Sequence, residues 1–286
     1  MCKRMHNSQE NPLEDIMKRA LNRITMPKPG LEEFLKRAKA MHFDAVEVRN
    51  DLGDGRILDG LDPSLVRRLC AHLDLGIITI NALQRFNDRA GTIPARITEL
   101  RTLVDLASRA GIEAVVLCPV NDRDEARSCE QRMEDTVRAL DAYAPIFTDA
   151  GVKGYIEPLG FSFCSLRYKR DAATAIEASV DSTPFALLHD TFHHYLAQEE
   201  EFFPELTALV HISGVTVEKP RSAITDDDRI LVTASDIMGN KKQLEALSAA
   251  GWRGWRSYEC FSSDVAHLES EDLATQIAQS WQALEG

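Results

Sequence analysis

Short apolar runs rich in β-branched residues alternate with longer amphipathic stretches along most of the chain. An apolar run of four to eight residues is typical of a buried strand, and apolar positions three and four apart are typical of a helix. The runs predict eight strands, at 20–25, 44–49, 76–81, 113–118, 152–157, 185–190, 208–213 and 254–259. The amphipathic stretches predict helices near 31–42, 63–73, 95–110, 129–150, 168–180, 199–206, 240–250 and 267–284.

Three junctions between a helix and the following strand repeat one sequence pattern. In AGIEAVVLC, AGVKGYIEP and AGWRGWRSYEC, Ala-Gly ends the helix and a strand begins almost at once. Such tight connections are what a regular βα repeat requires. The longest stretch without a clear element is 214–239, and loops of that length are usually functional or disordered.

Eight β/α units fit either a closed barrel or an open, doubly wound sheet. The count of eight favours the barrel, and the first strand is not followed by the glycine-rich phosphate loop of an open nucleotide-binding sheet. The 286 residues suit one domain of this kind. We therefore predict an α/β fold, a single (β/α)8 TIM barrel over 1–286, with 1–18 as an N-terminal extension.

The composition of the chain limits which partners and which cellular compartment are expected. The hydrophobic fraction of 44% and the charged fraction of 27% are ordinary for a globular protein. No apolar run is long enough to span a membrane, and the polar N-terminus lacks a secretory signal, which predicts a cytoplasmic protein. The six cysteines have no CxxC spacing. A net charge of −12 gives no reason to expect nucleic acid or an anionic membrane as a partner. Homo-oligomer formation stays open.

Four candidate metal ligands fall at the C-terminal ends of the last four predicted strands. They are Glu157, Asp190, His211 and Glu259. The C-terminal ends of barrel strands are where function is built, and neighbouring strand ends converge there. A lone Glu or His at a strand end is usually a solvated or hydrogen-bonded group, but four in succession indicate one site. This mixed, oxygen-rich set suits one divalent ion and does not discriminate among Mn²⁺, Mg²⁺, Co²⁺ and Zn²⁺.

The segments around these residues resemble a known superfamily. YIEPLG, LLHDTFHH, LVHISG and SYECF are similar to the sugar isomerase/epimerase superfamily of xylose-isomerase-like barrels, which also contains the endonuclease IV group. The resemblance runs from about residue 30 to the C-terminus. VEVRNDL, ITINAL and VLCPVND are most similar to the inosose isomerases of myo-inositol catabolism. The resemblance implies that the four residues bind the metal, that His193 hydrogen-bonds a substrate oxygen, and that Arg229 reaches over the site.

The residues at the strand ends agree with isomerase chemistry. Moving a carbonyl between neighbouring carbons requires a base that removes a proton beside it and an acid that returns one, while a metal stabilises the developing negative charge. Glu157 and Glu259 are placed to flank a substrate as base and acid. Arg49 and Asn81, at the ends of the second and third predicted strands, are candidates for contacts with hydroxyl groups.

These observations predict a metal-dependent isomerase, an intramolecular oxidoreductase, acting on a ketose-like polyol that is best matched by an inosose. A ketose 3-epimerase and an inosose dehydratase share the same chemistry and stay open as alternatives. A DNA-repair endonuclease is disfavoured by the net charge and because the first four predicted strands end in Thr25, Arg49, Asn81 and Cys118, none of them an additional His or Glu ligand. A barrel that only binds a ligand is disfavoured because both proton-transfer carboxylates are present.

The loops after the seventh and eighth predicted strands indicate an uncharged substrate. Phosphate sites on barrels are usually built there from glycine-rich loops and the N-terminus of a short helix. This chain has one glycine in HISGVTVEKPRSAITDDDRI after the seventh strand, together with the aspartates 226–228, and none in ECFSSDVAH after the eighth strand. The partial counter-argument is the presence of Lys219, Arg221 and Arg229 in the same loop.

Overall fold

The computed structural model describes residues 18–286 and shows a closed barrel of parallel strands. Each strand pairs with its neighbours in chain order, and β1 closes the barrel against β8. This confirms the predicted TIM-barrel fold, and all eight predicted strands overlap observed ones. The strands are β1 (Arg19–Asn22), β2 (Ala45–Arg49), β3 (Gly76–Gln84), β4 (Ala114–Cys118), β5 (Lys153–Ile156), β6 (Phe185–Asp190), β7 (Thr207–Ile212) and β8 (Trp255–Tyr258).

Helices occupy the connections between the strands. They are α1 (Leu31–Ala40), α2 (Pro63–Leu73), α3 (Ile93–Ala110), α4 (Cys129–Ala150), α5 (Lys169–Ala178), α6 (Thr191–Ala197), α7 (Asn240–Ala249), α8 (Ser263–Ala266) and α9 (Ser270–Glu285). Short 3-10 turns lie at Arg23–Thr25, Ala90–Thr92, Arg221–Ala223 and Asp226–Asp228. Apart from Lys18, the predicted N-terminal extension lies outside the described residues. Across the described range, no helix combines the length and apolar character needed to cross a bilayer.

One predicted helix, at 199–206, is wrong, because the sixth helix comes earlier in the chain. Asp190, the last residue of β6, accepts hydrogen bonds from the amides of Phe192 and His193 and so starts α6 without an intervening loop. Within 199–206, Phe203 has a φ of 54°, and Pro204 has no amide hydrogen to donate to a helix. The side chains of residues 191–197 therefore lie directly beside the end of β6.

The repeated Ala-Gly junctions end their helices as expected. Gly111 and Gly151 follow α3 and α4 with φ values of 74° and 66°, and their amides bond back to carbonyls of the last helical turn. Glycine adopts this left-handed conformation at no steric cost, so the chain can turn directly into the next strand. At the other end of α4, Ser128 and Gln131 form a capping box.

The barrel has two apolar regions, one inside the strands and one between strands and helices. Ala45 and Tyr155 belong to the inner region, whereas Val46 and Ile156 pack outward against the helices. Because side chains alternate along a strand, residues two positions beyond an inner apolar residue also point inward. This alternation directs a set of charged side chains toward the interior at the C-terminal end of the barrel.

The long seventh loop is more ordered than the sequence indicated. It contains two 3-10 turns, and Gly214 pairs with Ile230 in an isolated antiparallel bridge. The aspartates 226–228 form the second turn, and its N-cap residue Thr225 donates its amide hydrogen to the Asp228 carboxylate. The loop thereby returns Arg229 to the barrel mouth.

Candidate metal centre

Four candidate ligands from neighbouring strand ends meet inside the barrel. Asp190 and His211 are paired across β6 and β7, while Glu157 and Glu259 are the first residues after β5 and β8. The amides of the two glutamates still bond to the adjacent strands, which fixes their direction. All four side chains are buried, and one ligand atom from each lies within 4.8 Å of the others. The structure thus brings together the four residues that the sequence singled out.

The two ring nitrogens of His211 face different groups. Its Nδ1 lies 3.1 Å from Glu157 Oε1, 3.0 Å from Glu259 Oε2 and 4.0 Å from Asp190 Oδ2. Its Nε2 lies 3.0 Å from an oxygen of Glu47. When Nε2 carries the proton and donates it to Glu47, the Nδ1 lone pair is directed at the other carboxylates. A histidine bound to a metal is usually oriented in this way by a carboxylate behind it.

Glu47, on β2, completes the polar network below the candidate ligands. The side chain is fully buried, and Oε2 also accepts hydrogen bonds from Thr79 Oγ1 and from Asn81 Nδ2 at 2.9 Å. Ser257 donates to the other oxygen. Burial opposes ionisation of Glu47, but the charge and hydrogen bond of His211 outweigh it and hold the pKa of this carboxyl below its usual value. Glu47 therefore stays a carboxylate that fixes His211.

Two arginines hold the carboxylates from the mouth of the barrel. Arg229 Nη2 lies 2.7 Å from Asp190 Oδ2 and 3.0 Å from Glu259 Oε2, and its guanidinium stacks between the rings of Phe192 and Phe261. Arg49 Nη1 lies 2.8 Å from Glu259 Oε1. Both arginines are buried. They act as fixed positive charges on the solvent side of the candidate ligands.

Glu157 and Glu259 have different electrostatic surroundings. Burial favours the neutral form of both, but at Glu259 the charges of His211 and Arg229 outweigh burial and hold the pKa well below its usual value. Among the described residues no arginine contacts Glu157, and burial raises the pKa of its carboxyl. Its Oε2 accepts only a weak hydrogen bond, 3.5 Å from Cys118 Sγ. Glu157 thus keeps an oxygen free of strong partners, whereas both oxygens of Glu259 are engaged.

The donor set fits a divalent cation. In the described part of the chain, the carboxylates of Glu47, Glu157, Asp190 and Glu259 outnumber the guanidinium groups of Arg49 and Arg229, which also pair with Asp51 and Asp226. With His211 neutral, the centre is therefore left with negative charge for a bound ion to balance. Burial disfavours the imidazolium, but Glu259, Glu47 and Glu157 outweigh it and raise the pKa of His211 well above its usual value. A proton and a metal ion would therefore compete for Nδ1.

The other residues that the sequence singled out lie around this centre. His193 is buried on α6 with Nε2 4.0 Å from Asp190 Oδ2, and in the described structure its Nδ1 has no hydrogen-bond partner. Arg229 and Arg49 contact candidate ligands directly. Asn81 lies behind Glu47, to which it donates, so the structure places it next to the network and not against the four candidate ligands.

Two members of the site were missed by reasoning from the sequence. Glu47 lies in the middle of β2, and attention to strand ends passed over it. The signal was available, because Glu47 and Arg49 alternate with Val46 and Val48 and so must point inward together. Asn22, at the end of β1, donates to Glu259 Oε1 and accepts from Arg49. The predicted first strand ran on to Thr25, whereas the chain turns away after Asn22.

Removing the charge of Glu47 is expected to weaken metal binding without removing a ligand. In Glu47→Gln, His211 keeps an acceptor for Nε2 but loses the carboxylate that makes the ring a better donor. Such changes typically cost about 10–100-fold in metal affinity. A competition titration with a chromophoric chelator measures this, with Glu113→Gln at the opposite end of the barrel as a matched control. An unchanged affinity in folded Glu47→Gln protein would contradict the assigned role of Glu47.

A closed (β/α)8 barrel with a buried group of candidate metal ligands at the C-terminal ends of its strands defines the class. Residues 35–284 match the sequence profile of the xylose isomerase-like TIM barrel. The chain belongs to this family. The comparison with curated proteins gave no significant match.

Solved structures with the same fold align with nearly the whole length of this chain. A xylose isomerase domain containing protein of Salmonella typhimurium LT2 is 33% identical, with a TM-score of 0.87 over 94% of this chain and 98% of the other. The IOLI protein, solved with a zinc atom bound, is 20% identical, with a TM-score of 0.84 over 94% and 98%. A D-allulose 3-epimerase from Methylomonas sp., solved with D-allulose, is 15% identical, with a TM-score of 0.71 over 93% and 96%.

Proposed function

We propose that this chain is a divalent-metal-dependent isomerase that moves a carbonyl between neighbouring carbons of a neutral polyol, with an inosose as the best candidate substrate. The observation that carries the proposal is the convergence of Glu157, Asp190, His211 and Glu259 on one buried point. The family includes sugar isomerases, and a neighbour of the same fold binds zinc, which supports the same reading.

The four residues would hold one divalent ion, with Glu47 fixing His211 from behind. When bound, the ion would supply Lewis-acid stabilisation of negative charge that develops on a substrate carbonyl oxygen. Arg229 would hold the carboxylates of Asp190 and Glu259 in place, and Arg49 would hold that of Glu259. The mixed oxygen and nitrogen set leaves Mn²⁺, Mg²⁺, Co²⁺ and Zn²⁺ as candidates.

Proton transfer is assigned to the two glutamates, with unequal roles. The base must have a free oxygen within reach of the carbon acid, and a positioned carboxylate contributes about 10²–10⁴-fold to such a step. Glu157 fits this requirement because its Oε2 has no strong partner. Glu259 faces Glu157 from β8, but Asn22, Arg49 and Arg229 already donate to its oxygens. We therefore assign the first proton removal to Glu157 and the return of a proton to either glutamate.

Polar groups around the centre are proposed to hold the hydroxyl groups of the substrate. His193 is the best supported, because a buried nitrogen without a partner is costly unless a ligand satisfies it. Arg229 and Arg49 border the same space from the mouth. Asn81 already donates to Glu47 and Thr79, so its amide oxygen is the atom left for a substrate contact.

An epimerase or dehydratase would use the same residues. Each begins with removal of a proton beside a carbonyl. In an isomerase a proton returns to the neighbouring carbon, and in an epimerase it returns to the opposite face of the same carbon. In a dehydratase, removal of the proton is followed by loss of a hydroxyl group. A second solved neighbour, the D-allulose 3-epimerase, keeps the epimerase as the leading alternative. The product of the reaction distinguishes the three.

The seventh loop supports a neutral substrate over a sugar phosphate. Two of its three basic side chains are already paired, Lys219 with Asp228 and Arg229 with Asp190 and Asp226. The third, Arg221, stacks on Tyr195. A dianion would have to displace these contacts next to three aspartates, at an electrostatic cost.

We expect turnover of an inosose and no gain from phosphorylation. Purified protein loaded with Mn²⁺, Co²⁺ or Zn²⁺ is incubated with inososes, neutral ketoses and ketose phosphates, and the products are resolved by NMR in D₂O. Metal-stripped protein and Glu157→Gln serve as controls for background enolisation. A kcat/KM that clearly favours a ketose phosphate would overturn the neutral assignment, and an epimer or a dehydrated product would replace the isomerase by that alternative.

A further inference from the structure

A second polar cluster lies just outside the barrel wall, behind the metal centre. It consists of Lys169 at the start of α5, His189 on β6, His194 on α6 and Glu199 in the following loop, and we call it the Lys169 cluster. The Lys169 Nζ lies 2.9 Å from His189 Nδ1, 2.8 Å from His194 Nδ1 and 3.9 Å from Glu199 Oε2. Lys169 and Glu199 are almost completely buried. Because side chains alternate along a strand, His189 points away from Asp190, toward the helices.

The charges in the Lys169 cluster make the amine the donor. Burial and the nearby ammonium lower the pKa of His194 to about 3 and that of His189 well below its usual value, so both rings are neutral. Their Nδ1 atoms then accept from Lys169, whose own pKa is lowered by burial to about 8. The Nε2 of His189 lies 2.9 Å from Gln243 Oε1 on α7, which completes its hydrogen bonding.

Three parts of the Lys169 cluster lead to α6 or to the loop after it. His194 belongs to α6, and Gln243 Nε2 donates to the carbonyl of Thr191, the first residue of the helix. Glu199 follows α6 and accepts from the amides of Lys169 and Arg170, which ties the loop to the start of α5. Because α6 has only seven residues, packing and side-chain contacts must supply most of its stability.

The same short helix presents His193 to the metal centre. A small cavity of about 10 Å³ is lined by residues of both groups, namely Lys169, His194 and Glu199 together with Asp190 and His193. Consecutive side chains of a helix point about 100° apart. Fixing His194 against Lys169 therefore sets the rotation of α6 that directs His193 inward.

We propose that Lys169 is a positioning residue for substrate binding, which fixes α6 through His194 so that His193 faces the metal centre. This inference rests on the proposed role of His193 in holding a substrate hydroxyl group. It assigns a purpose to an ammonium that is buried beside two histidines and contacts none of the candidate ligands.

The test replaces the amine by an apolar chain of similar length. In Lys169→Met, backbone amide exchange in residues 191–197 should become at least about tenfold faster, while exchange in β6 and in the middle of α5 stays unchanged. KM for the substrate should rise at least about fivefold, with kcat changed less than about twofold. The variant loses a contact that stabilises the bound substrate and the transition state equally, while the proton-transfer groups are intact. Metal content should remain that of the wild type.

A second variant and a control keep the result interpretable. His194→Phe removes only the partner on α6 and should reproduce both effects, and the double variant should be no worse than Lys169→Met, because Lys169→Met already removes the contact with His194. If Lys169→Met does not fold, His194→Phe decides. The control is Arg170→Met, which removes a positive charge from the next residue of α5, where the side chain stacks on Tyr168 and is exposed.

The outcomes separate this inference from the proposed function. Unchanged exchange in residues 191–197, or an acceleration spread evenly over the barrel, would overturn the positioning role of Lys169. Faster exchange with an unchanged KM would overturn the link to His193. If wild-type protein turns over no substrate, the proposed function fails, and the contrast in exchange between residues 191–197 and the rest of the barrel still decides whether Lys169 fixes α6.

Discussion

Glu157→Gln is expected to lose proton exchange by about 10²–10⁴-fold while it keeps its metal. Glutamine has nearly the same shape, and its amide oxygen can still face His211 and an ion, but it cannot accept a proton at neutral pH. The measurement is incorporation of solvent deuterium into the substrate, followed by NMR alongside metal content. The loss counts only where the variant binds the same amount of metal as the wild type.

The matched comparison is with Glu259→Gln and Glu113→Gln. In Glu259→Gln the amide nitrogen would be forced toward Arg49 or Arg229, which now contact both carboxylate oxygens, so loss of metal is expected together with loss of exchange. Glu113 lies at the N-terminal end of β4 beside Tyr155, and its replacement should leave exchange unchanged. Normal exchange in metal-bound Glu157→Gln would show that another group is the base.

His211→Ala is expected to reduce retained metal from about one ion per chain to a background trace. The imidazole is the only nitrogen donor among the four candidate ligands, and without it the remaining carboxylates are held together only by Arg229 and Arg49. Elemental analysis of protein purified without a chelator measures the loss. Asp190→Ala should have the same effect on metal content.

His211→Ala is the cleaner of these variants, because it removes no helix cap. Asp190→Ala also removes the N-cap of α6, which costs about 1 kcal/mol, so its fold must be checked by circular dichroism. His267→Ala, at an exposed position after α8, controls for nonspecific loss of a histidine. Full metal occupancy in either site variant would refute the assignment of these ligands.

The order of strands and helices was predictable, because alternation of apolar runs with amphipathic stretches is a local property of the sequence. The exception, the helix at 199–206, shows the limit of that approach. Residues 191–197 contain four aromatic or histidine side chains and no clear polar face, since the helix is buried on several sides. Periodicity cannot identify such a helix, whereas the cap provided by Asp190 could have indicated its start.

The candidate ligands were predictable for a different reason from the residues that hold them. Glu157, Asp190, His211 and Glu259 stand at strand ends, a position that the barrel fold itself marks as functional. The contacts of His211 with Glu47 and of Lys169 with His194 join side chains that are 164 and 25 positions apart in the chain. They depend on the closure of the barrel and on the rotation of a helix, and no spacing in the sequence encodes them.

The two carboxylate oxygens of Asp190 have different roles, one in starting a helix and one in the candidate metal centre. Oδ1 accepts the first amides of α6, while Oδ2 faces Arg229 and the other candidate ligands. Sequence variation at this position is therefore restricted from two directions, since a replacement must both start a helix and leave a charge in the barrel. At Glu157, which caps no helix, a selection for folded protein alone would accept substitutions that a selection for activity rejects. Comparing the variants tolerated at the two positions under both selections would separate the demands of folding from those of catalysis.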